Sequence, residues 1–129
     1  MFIETIDENI IIKIGRNQDE NDKLLKEYLQ NENVIWFHLH SFPSPHGFLV
    51  GSTEIENIQR TASLVKQFSK YKNLKNIKVE YLPIKYVKFT EKKGEVILKK
   101  KPMLIASWKD KLLYWLRQQL YHEYLQYLH

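Results

Sequence analysis

The segment VIWFHLHSFPSPHGFLV, residues 34–50, indicates two short β-strands joined by a tight connection. In its first half two sets of side chains alternate with a period of two residues, as in a strand whose side chains point to opposite faces in turn. The two predicted faces are Ile35, Phe37 and Leu39 on one side and Trp36, His38 and His40 on the other. Two prolines and Gly47 favour a reversal of the chain before a second strand from His46 to Val50. The segment therefore predicts a strand, a turn and a second strand.

Segments on both sides of this unit show the patterns of further strands and helices. Residues 2–15 predict a hairpin that turns at residues 7–9, and Asn17 predicts the N-cap of a following helix. Thr53 and Glu56 have the spacing of a capping box and open a second predicted helix. Short strands with lysine-rich turns between them are predicted at residues 77–81, 86–89, 95–98 and 103–106.

Residues 107–129 have the pattern of an amphipathic helix with a broad apolar arc. This helix is predicted to pack on the sheet of its own chain or against a second copy in a homodimer. The sequence thus predicts a single-domain α+β fold, a mostly antiparallel mixed sheet packed with two to three helices and a C-terminal amphipathic helix. The predicted division is residues 1–106 for the domain and residues 107–129 for the helix.

Length and composition fit one compact domain. The chain has 129 residues, of which 43% are hydrophobic, and it has no cysteine, which excludes disulfides, thiolate zinc sites and thiol nucleophiles. The N-terminus lacks the basic start and apolar core of a signal peptide, and no long apolar run is free of charges. We therefore expect a soluble, cytoplasmic protein with no membrane partner.

The charges are distributed unevenly along the chain. Residues 1–59 carry four basic and ten acidic side chains, a net charge of −6, whereas residues 60–101 carry thirteen basic and three acidic side chains, a net of +10. A positive region of this size within one small domain is typical of proteins that bind phosphate groups. The alternative is a lysine-rich surface that serves only solubility.

The histidines raise the question of metal binding or catalysis. His38 and His40 point the same way on the first strand and His46 returns on the second, so three imidazoles could converge on a metal ion. No carboxylate at a familiar spacing accompanies them. Ser41 and Ser44 lie beside histidines, but the segment has neither a strand–turn–helix elbow nor an acidic group to orient a histidine. The sequence therefore predicts no metal, no cofactor and no enzymatic activity.

Nucleic-acid contact fits the mixture of lysines and planar side chains better. Trp36 is a candidate for base stacking, although a tryptophan on a strand beneath a helix is more often a core residue. His38 has the same two readings, as a contact residue or as a buried imidazole bonded to the backbone. His46, beside the proline-rich turn, is a candidate hydrogen-bond donor.

Four segments, in this order, resemble the NFACT RNA-binding domain family, also called NFACT-R. They are IIIKIGRNQDENDKL (10–24), VIWFHLHSFPSPHGFLV (34–50), IENIQRTASLVKQFSKYKN (55–73) and IKVEYLPIKYVKFTEKKGEVIL (77–98). The residues that match the family pattern are Gly15, Arg16, Asn17, Asn21, Asp22, Trp36, His38, Ser44, His46, Val87, Lys88 and Gly94. His40 falls outside the pattern, Pro45 stands where the family often has glycine nearby, and FTEKKGE is a shortened form of a longer segment.

The resemblance implies a nucleic-acid-binding module without enzymatic activity. In its multidomain relatives the module acts near tRNA and the large ribosomal subunit, in ribosome-associated quality control, and one group of free-standing relatives is associated with DNA. The predicted nucleic-acid-binding residues are Arg16, Asn17, Asn21, Trp36, His38, Ser44, His46, Lys70, Lys72, Lys85, Lys88, Lys92 and Lys93. Arg16 and the lysines would neutralise phosphates, Asn17 and His46 would donate hydrogen bonds, and Trp36 would stack.

Two classes of function follow from these observations. The first is an RNA-binding protein whose partner is tRNA or rRNA, on or off the ribosome, with DNA as an alternative nucleic acid. The second is an adaptor that joins a protein complex or dimerises through its C-terminal helix, while the lysines contribute solubility alone.

Overall fold

A computed structural model of the protein describes residues 1–106 and contains one large and one small β-sheet with two α-helices. The strands are β1 (Phe2–Asp7), β2 (Ile10–Gly15), β3 (Val34–Leu39), β4 (His46–Val50), β5 (Lys78–Pro83), β6 (Val87–Phe89), β7 (Val96–Leu98) and β8 (Met103–Ala106). The helices are α1 (Gln18–Tyr28) and α2 (Ile55–Gln67), and a 3₁₀ turn covers Ile84–Tyr86.

Six strands form the large sheet in the order β1, β2, β4, β3, β5, β8, and β6 pairs with β7 in the small one. Every strand pairing within residues 1–106 is antiparallel. The predicted α+β class and the mostly antiparallel sheet are therefore confirmed for this part of the chain, with two α-helices in it. The predicted β1–β2 hairpin and the β3–β4 unit are also present, the latter with β4 beginning at His46 as expected.

The alternation along β3 divides the protein into two cores. Ile35, Phe37 and Leu39 belong to a core that α2 covers, whereas Val34 and Trp36 belong to a second core with residues of α1 and of the β6–β7 hairpin. Each fully buried large apolar side chain contributes about 1.5–3 kcal/mol to folding. The two faces predicted from the sequence therefore correspond to two separately covered sides of one sheet.

Gly47 lets α2 approach the first of these cores closely. A Cβ atom at this position would lie 2.5 Å from Cγ2 of Val65 and 3.1 Å from Cβ of Phe37. These distances are too short for normal packing, so a side chain here would push α2 away from the sheet. The glycine that the sequence assigned to a turn is thus required for helix packing.

The β6–β7 hairpin covers the second core with one side and faces outward with the other. Val87, Phe89, Val96 and Leu98 are in contact with that core. Lys88 and its strand partner Ile97 are exposed. The hairpin thus presents a lysine-bearing surface beside the sheet.

Three details differ from the sequence predictions or lie outside the structure. The capping box of Thr53 and Glu56 is wrong: α2 begins at Ile55, and its N-cap residue Glu54 makes no side-chain capping bond. The hydroxyl of Ser52 instead accepts hydrogen bonds near the start of α2, from the Glu54 backbone N–H at 3.1 Å and from Nδ2 of Asn57 at 2.8 Å.

Residue 86 belongs to the 3₁₀ turn rather than to a strand. The predicted helix at 107–129 lies outside the described residues, and within residues 1–106 no helix is long and apolar enough to cross a membrane.

Candidate nucleic-acid interface

Several connections meet at one end of the large sheet. Gly15 at the end of β2 pairs with His46 at the start of β4, and the end of β3 pairs with the start of β5. The turn after β3 also contacts the segment before β5, since the rings of Phe42 and Tyr71 lie 4.8 Å apart between centroids. Residues 16–17, 40–45 and 68–77 therefore leave the sheet at the same end, which we call the cleft end.

A cleft of about 260 Å³ opens there between the start of α1, the β3–β4 turn and the tip of the β6–β7 hairpin. Gly94 at this tip has a positive φ of 76° and lies against Gln18, so the hairpin forms one wall of the cleft. Six of the predicted site residues line the cleft, namely Asn21, His38, Ser44, His46, Lys92 and Lys93. Residues from four distant parts of the chain are thus brought to one site.

The floor of the cleft is built on a chain of hydrogen bonds among buried groups. The indole N–H of Trp36 donates to Nδ1 of His46 at 3.1 Å, and the backbone N–H of His46 donates to Oδ1 of Asn21 at 3.2 Å. His46 is 3% exposed and Asn21 is 6% exposed. Because an indole N–H can only donate, Nδ1 of His46 carries no proton, and its Nε2 carries the proton of the neutral ring.

Gly15 holds Asn21 in this position. A Cβ atom at residue 15 would overlap the Asn21 side-chain oxygen and lie 2.9 Å from its backbone nitrogen. The absence of a side chain therefore lets α1 sit directly on the β2–β4 pair, where Asn21 can reach His46.

His38 lies beside His46 and is also held by the backbone. Its Nδ1 lies 2.6 Å from the carbonyl oxygen of Leu39, so this nitrogen carries the proton and donates. The rings of His38 and His46 meet edge to face at 5.2 Å between centroids, and His38 stacks on Trp36 at 5.7 Å. Burial lowers the pKa of His38, and the carbonyl of Leu39 and the carboxylate of Glu80 oppose that shift.

Burial and the neighbouring His38 lower the pKa of His46 to about 3. Its folded-state pKa is thus below the value near 6.5 of an unfolded histidine, so the native state binds fewer protons than the unfolded one. We expect the free energy of unfolding to be highest above pH 6.5 and to fall as the pH drops from 6.5 towards 3, by up to about 1.4 kcal/mol per pH unit for this histidine. Urea titrations at several pH values between 7.5 and 5 measure the slope.

His46→Gln is the matched control, because it removes this titrating group and leaves His38 in place. The slope between pH 6.5 and 5 should be shallower in the variant than in the wild type. Equal slopes in the two proteins would contradict a neutral, buried His46.

Ser44 and Asn17 have their hydrogen-bonding oxygens occupied within the protein. The Ser44 hydroxyl donates to the Pro45 carbonyl at 2.8 Å and accepts from the Leu39 backbone N–H at 2.9 Å, which closes the β3–β4 turn. Oδ1 of Asn17 accepts from the Glu20 backbone N–H at 2.9 Å, which confirms the predicted N-cap of α1. Ser44 therefore lines the cleft with its hydroxyl engaged, whereas Asn17 caps α1 and is not among the residues that line the cleft.

The cationic residues fall into three groups. The first group consists of Lys92, Lys93 and Arg16. Lys92 and Lys93 line the cleft, and Lys93 pairs with Asp19 of α1 at 2.6 Å, which raises the pKa of this lysine. Arg16 follows the last residue of β2 and is half exposed, and its Nε lies 3.9 Å from Oε1 of Glu20. The second group, Lys70 and Lys72, is exposed in the segment before β5, on either side of the tyrosine that contacts the turn.

The third group lies on β6 and on the segments that flank the β6–β7 hairpin, away from the cleft. Lys85 and Lys100 both place their Nζ near the ring of Tyr86, at 5.1 and 5.0 Å from its centroid. Lys88 is exposed on the outer side of β6. Of the lysines predicted to bind, two thus line the cleft, two flank its turn, and the other two lie away from it, Lys85 in the 3₁₀ turn and Lys88 on β6.

A stacking role for Trp36 does not fit the structure. The side chain is 1% exposed and lies in the second core, so neither face of the indole is open to a base. The position of Trp36 on the central strand beneath α1 explains this burial. At the site, its indole N–H donates a hydrogen bond to Nδ1 of His46.

Other residues of the cleft were not predicted. Gln18, Pro43 and Glu95 line it as well. Glu80 was also not predicted: its carboxylate oxygens lie 3.6 Å from Nδ1 of His38 and 3.3 Å from Nδ1 of His40. The contact with Glu80 depends on the pairing of β3 with β5, which the local sequence does not encode. Within residues 1–106 no three histidine or carboxylate side chains are grouped so as to hold a metal ion.

The comparisons with known proteins agree with this fold. In a search of solved structures, the chain is similar to the C-terminal part of the fibronectin/fibrinogen-binding protein of Streptococcus suis, with a TM-score of 0.70 and 22% identity. The match covers 80% of this chain and 43% of that one, so this chain spans less than half of that structure, and the likeness concerns the fold. No curated protein matches the sequence. The model of the NFACT protein RNA binding domain matches residues 5–103, and the chain therefore belongs to that family, as its motifs predicted.

Proposed function

We propose that the protein binds RNA through the cleft end of its sheet and that it does so without catalysing a reaction. Membership of the NFACT RNA-binding domain family indicates a nucleic-acid-binding role. The observation that carries the proposal is the convergence of Asn21, His46, Lys92 and Lys93 on one cleft from distant parts of the sequence. A surface for a polyanion needs such convergence, whereas lysines that serve only solubility do not.

The charges around the cleft suit an extended phosphate backbone. Arg16 lies at the end of β2 beside the cleft, and Lys70 and Lys72 lie on the far side of the β3–β4 turn. Lys93 is held at the rim by Asp19, and this exposed ion pair is weak enough for a phosphate to compete for the ammonium group. The cations therefore flank the cleft on two sides, and a strand of RNA can cross it.

The hydrogen bonds of the site support a binding role rather than hydrolysis. A serine nucleophile needs a histidine nitrogen within hydrogen-bonding distance, but the Ser44 hydroxyl donates to the Pro45 carbonyl. Nδ1 of His46 is engaged by the Trp36 indole, and Nδ1 of His38 donates to a backbone carbonyl. These groups hold a rigid surface, which is what recognition requires.

Structured RNA, either tRNA or rRNA, is the proposed partner class. The cleft is bordered by exposed, lysine-bearing segments, which can contact the backbone on both sides of one nucleotide. Base readout in RNA occurs mostly at loops, bulges and ends, where such a cleft can reach a base.

Fluorescence anisotropy with labelled tRNA, an rRNA fragment and a DNA duplex of equal length tests the proposal. If Arg16, Lys92 and Lys93 each neutralise one phosphate, the slope of log affinity against log salt concentration is expected to be about −2.1 for a single-stranded segment and about −2.7 for a duplex segment. RNA should bind more tightly than DNA at every salt concentration. Binding that is absent, or that does not change with salt, would refute the proposal, and equal affinity for DNA would refute the choice of RNA.

A further inference from the structure

The cleft keeps unused hydrogen-bond donors on its floor. After Asn21 and His46 have made the bonds described above, the Asn21 amide Nδ2 and the His46 Nε2–H have no partner within residues 1–106. In the same part of the chain, no fully buried side-chain nitrogen or oxygen lacks a hydrogen-bond partner. The two donors must therefore be accessible, and the cleft is the space that both residues line.

The walls add acceptors to these donors. With the proton of His38 on Nδ1, its Nε2 is an acceptor, and Glu95 and Gln18, whose side chains carry further acceptor oxygens, also line the cleft. A site for a free anion would present donors and positive charge alone. The edge of a nucleobase carries donors and acceptors side by side, which matches this mixed lining.

The size of the cleft limits what can enter. A volume of about 260 Å³ is slightly below the range of about 300 Å³ upwards found for drug-sized ligands. One base fits such a space, whereas a duplex does not. In a duplex the base edges are already paired and stacked, so the base that enters must be unpaired.

We propose that the cleft binds the base of a single unpaired nucleotide within structured RNA, while Lys92 and Lys93 contact the phosphates beside it. This inference rests on the proposed RNA binding and adds the feature of the RNA that is recognised. Asn21 and His46 would donate to the base edge from positions fixed by Gly15 and by the Trp36 indole. Lys92 and Lys93 line the same cleft, so their ammonium groups can reach the phosphates on either side of the bound base.

Three hairpin RNAs test this proposal with the wild-type protein. One has a fully paired stem, the second has a single-nucleotide bulge in the same stem, and the third has an abasic bulge that keeps the extra backbone but lacks the base. We expect the bulged RNA to bind about tenfold more tightly than the other two, which is the effect of about one well-made pair of hydrogen bonds to a base. 2-Aminopurine in the bulge should change in fluorescence on binding.

Asn21→Asp gives the matched variant, because it keeps the oxygen that accepts from His46 and loses the Nδ2 donor. The added negative charge weakens binding to every RNA, so the quantity to compare is the ratio of bulged to paired affinity. This ratio should fall from about ten to about one in the variant.

The possible failures are distinguishable. Salt-sensitive binding with equal affinity for the paired, bulged and abasic RNAs would overturn this inference and leave RNA binding intact. Binding of adenosine or uridine 5′-monophosphate as tight as that of the bulged RNA would overturn the assignment to RNA. The absence of binding to any of the RNAs would refute the proposed function and this inference with it.

Discussion

Replacement of Trp36 by alanine is expected to lower the free energy of unfolding by about 3–5 kcal/mol, the usual cost of truncating a large buried aromatic side chain. Trp36 is 1% exposed and packs in the second core between the sheet, α1 and the β6–β7 hairpin. The truncation would leave a cavity where three elements meet, and Nδ1 of His46 would lose its donor. Urea unfolding followed by circular dichroism measures the change.

Trp36→Phe separates packing from the hydrogen bond. Phenylalanine fills much of the same volume but has no N–H, so the buried Nδ1 of His46 is left without a partner, at a cost of about 1–3 kcal/mol. A loss in the phenylalanine variant clearly smaller than in the alanine variant would agree with this description. A negligible loss in both variants would show that Trp36 is not a core residue.

Much of the fold is encoded locally. The period-two alternation of residues 34–39 specified both faces of β3, because one strand covered on both sides must place each set of side chains in a different core. The N-cap at Asn17 and the start of β4 at His46 are also local signals. These features follow from residues that are close together in the sequence.

The order of the strands and the close packing of the helices against two glycines depend on residues that are far apart in the sequence. β3 pairs with both β4 and β5, and the hairpin β6–β7 leaves the large sheet altogether. Gly15 and Gly47 have φ values outside the left-handed region and matter because α1 and α2 pack against them. Such requirements appear only when distant elements are brought together.

The candidate site shows the same division. Asn21, His38, Ser44 and His46 were named from the sequence and do lie together, whereas Glu95 and Gln18 were not named. Their presence depends on the hairpin tip folding back onto α1, with Gly94 against Gln18 and Lys93 paired with Asp19. Charge patterning could locate a basic region, but it could not separate the two lysines of the cleft from those elsewhere on the hairpin.

The second large effect concerns those two lysines. Lys92→Gln combined with Lys93→Gln is expected to weaken RNA binding about tenfold or more, since two phosphate contacts are lost. The fold should be unaffected, because both side chains are exposed and the ion pair of Lys93 with Asp19 lies on the surface. The control is Lys23→Gln combined with Lys26→Gln, which removes the same charge from exposed positions on α1 that do not line the cleft.

The salt dependence of RNA binding by these two variants and the wild type tests most directly the claim that the cleft end is the RNA-binding surface. The slope of log affinity against log salt concentration should become shallower by about 1.4–1.8 in the Lys92 and Lys93 variant, which corresponds to two phosphates of a single-stranded or duplex segment. The control variant should keep the wild-type slope. Equal changes of slope in both variants would show that the protein attracts RNA through its net charge alone and would contradict a binding surface at the cleft.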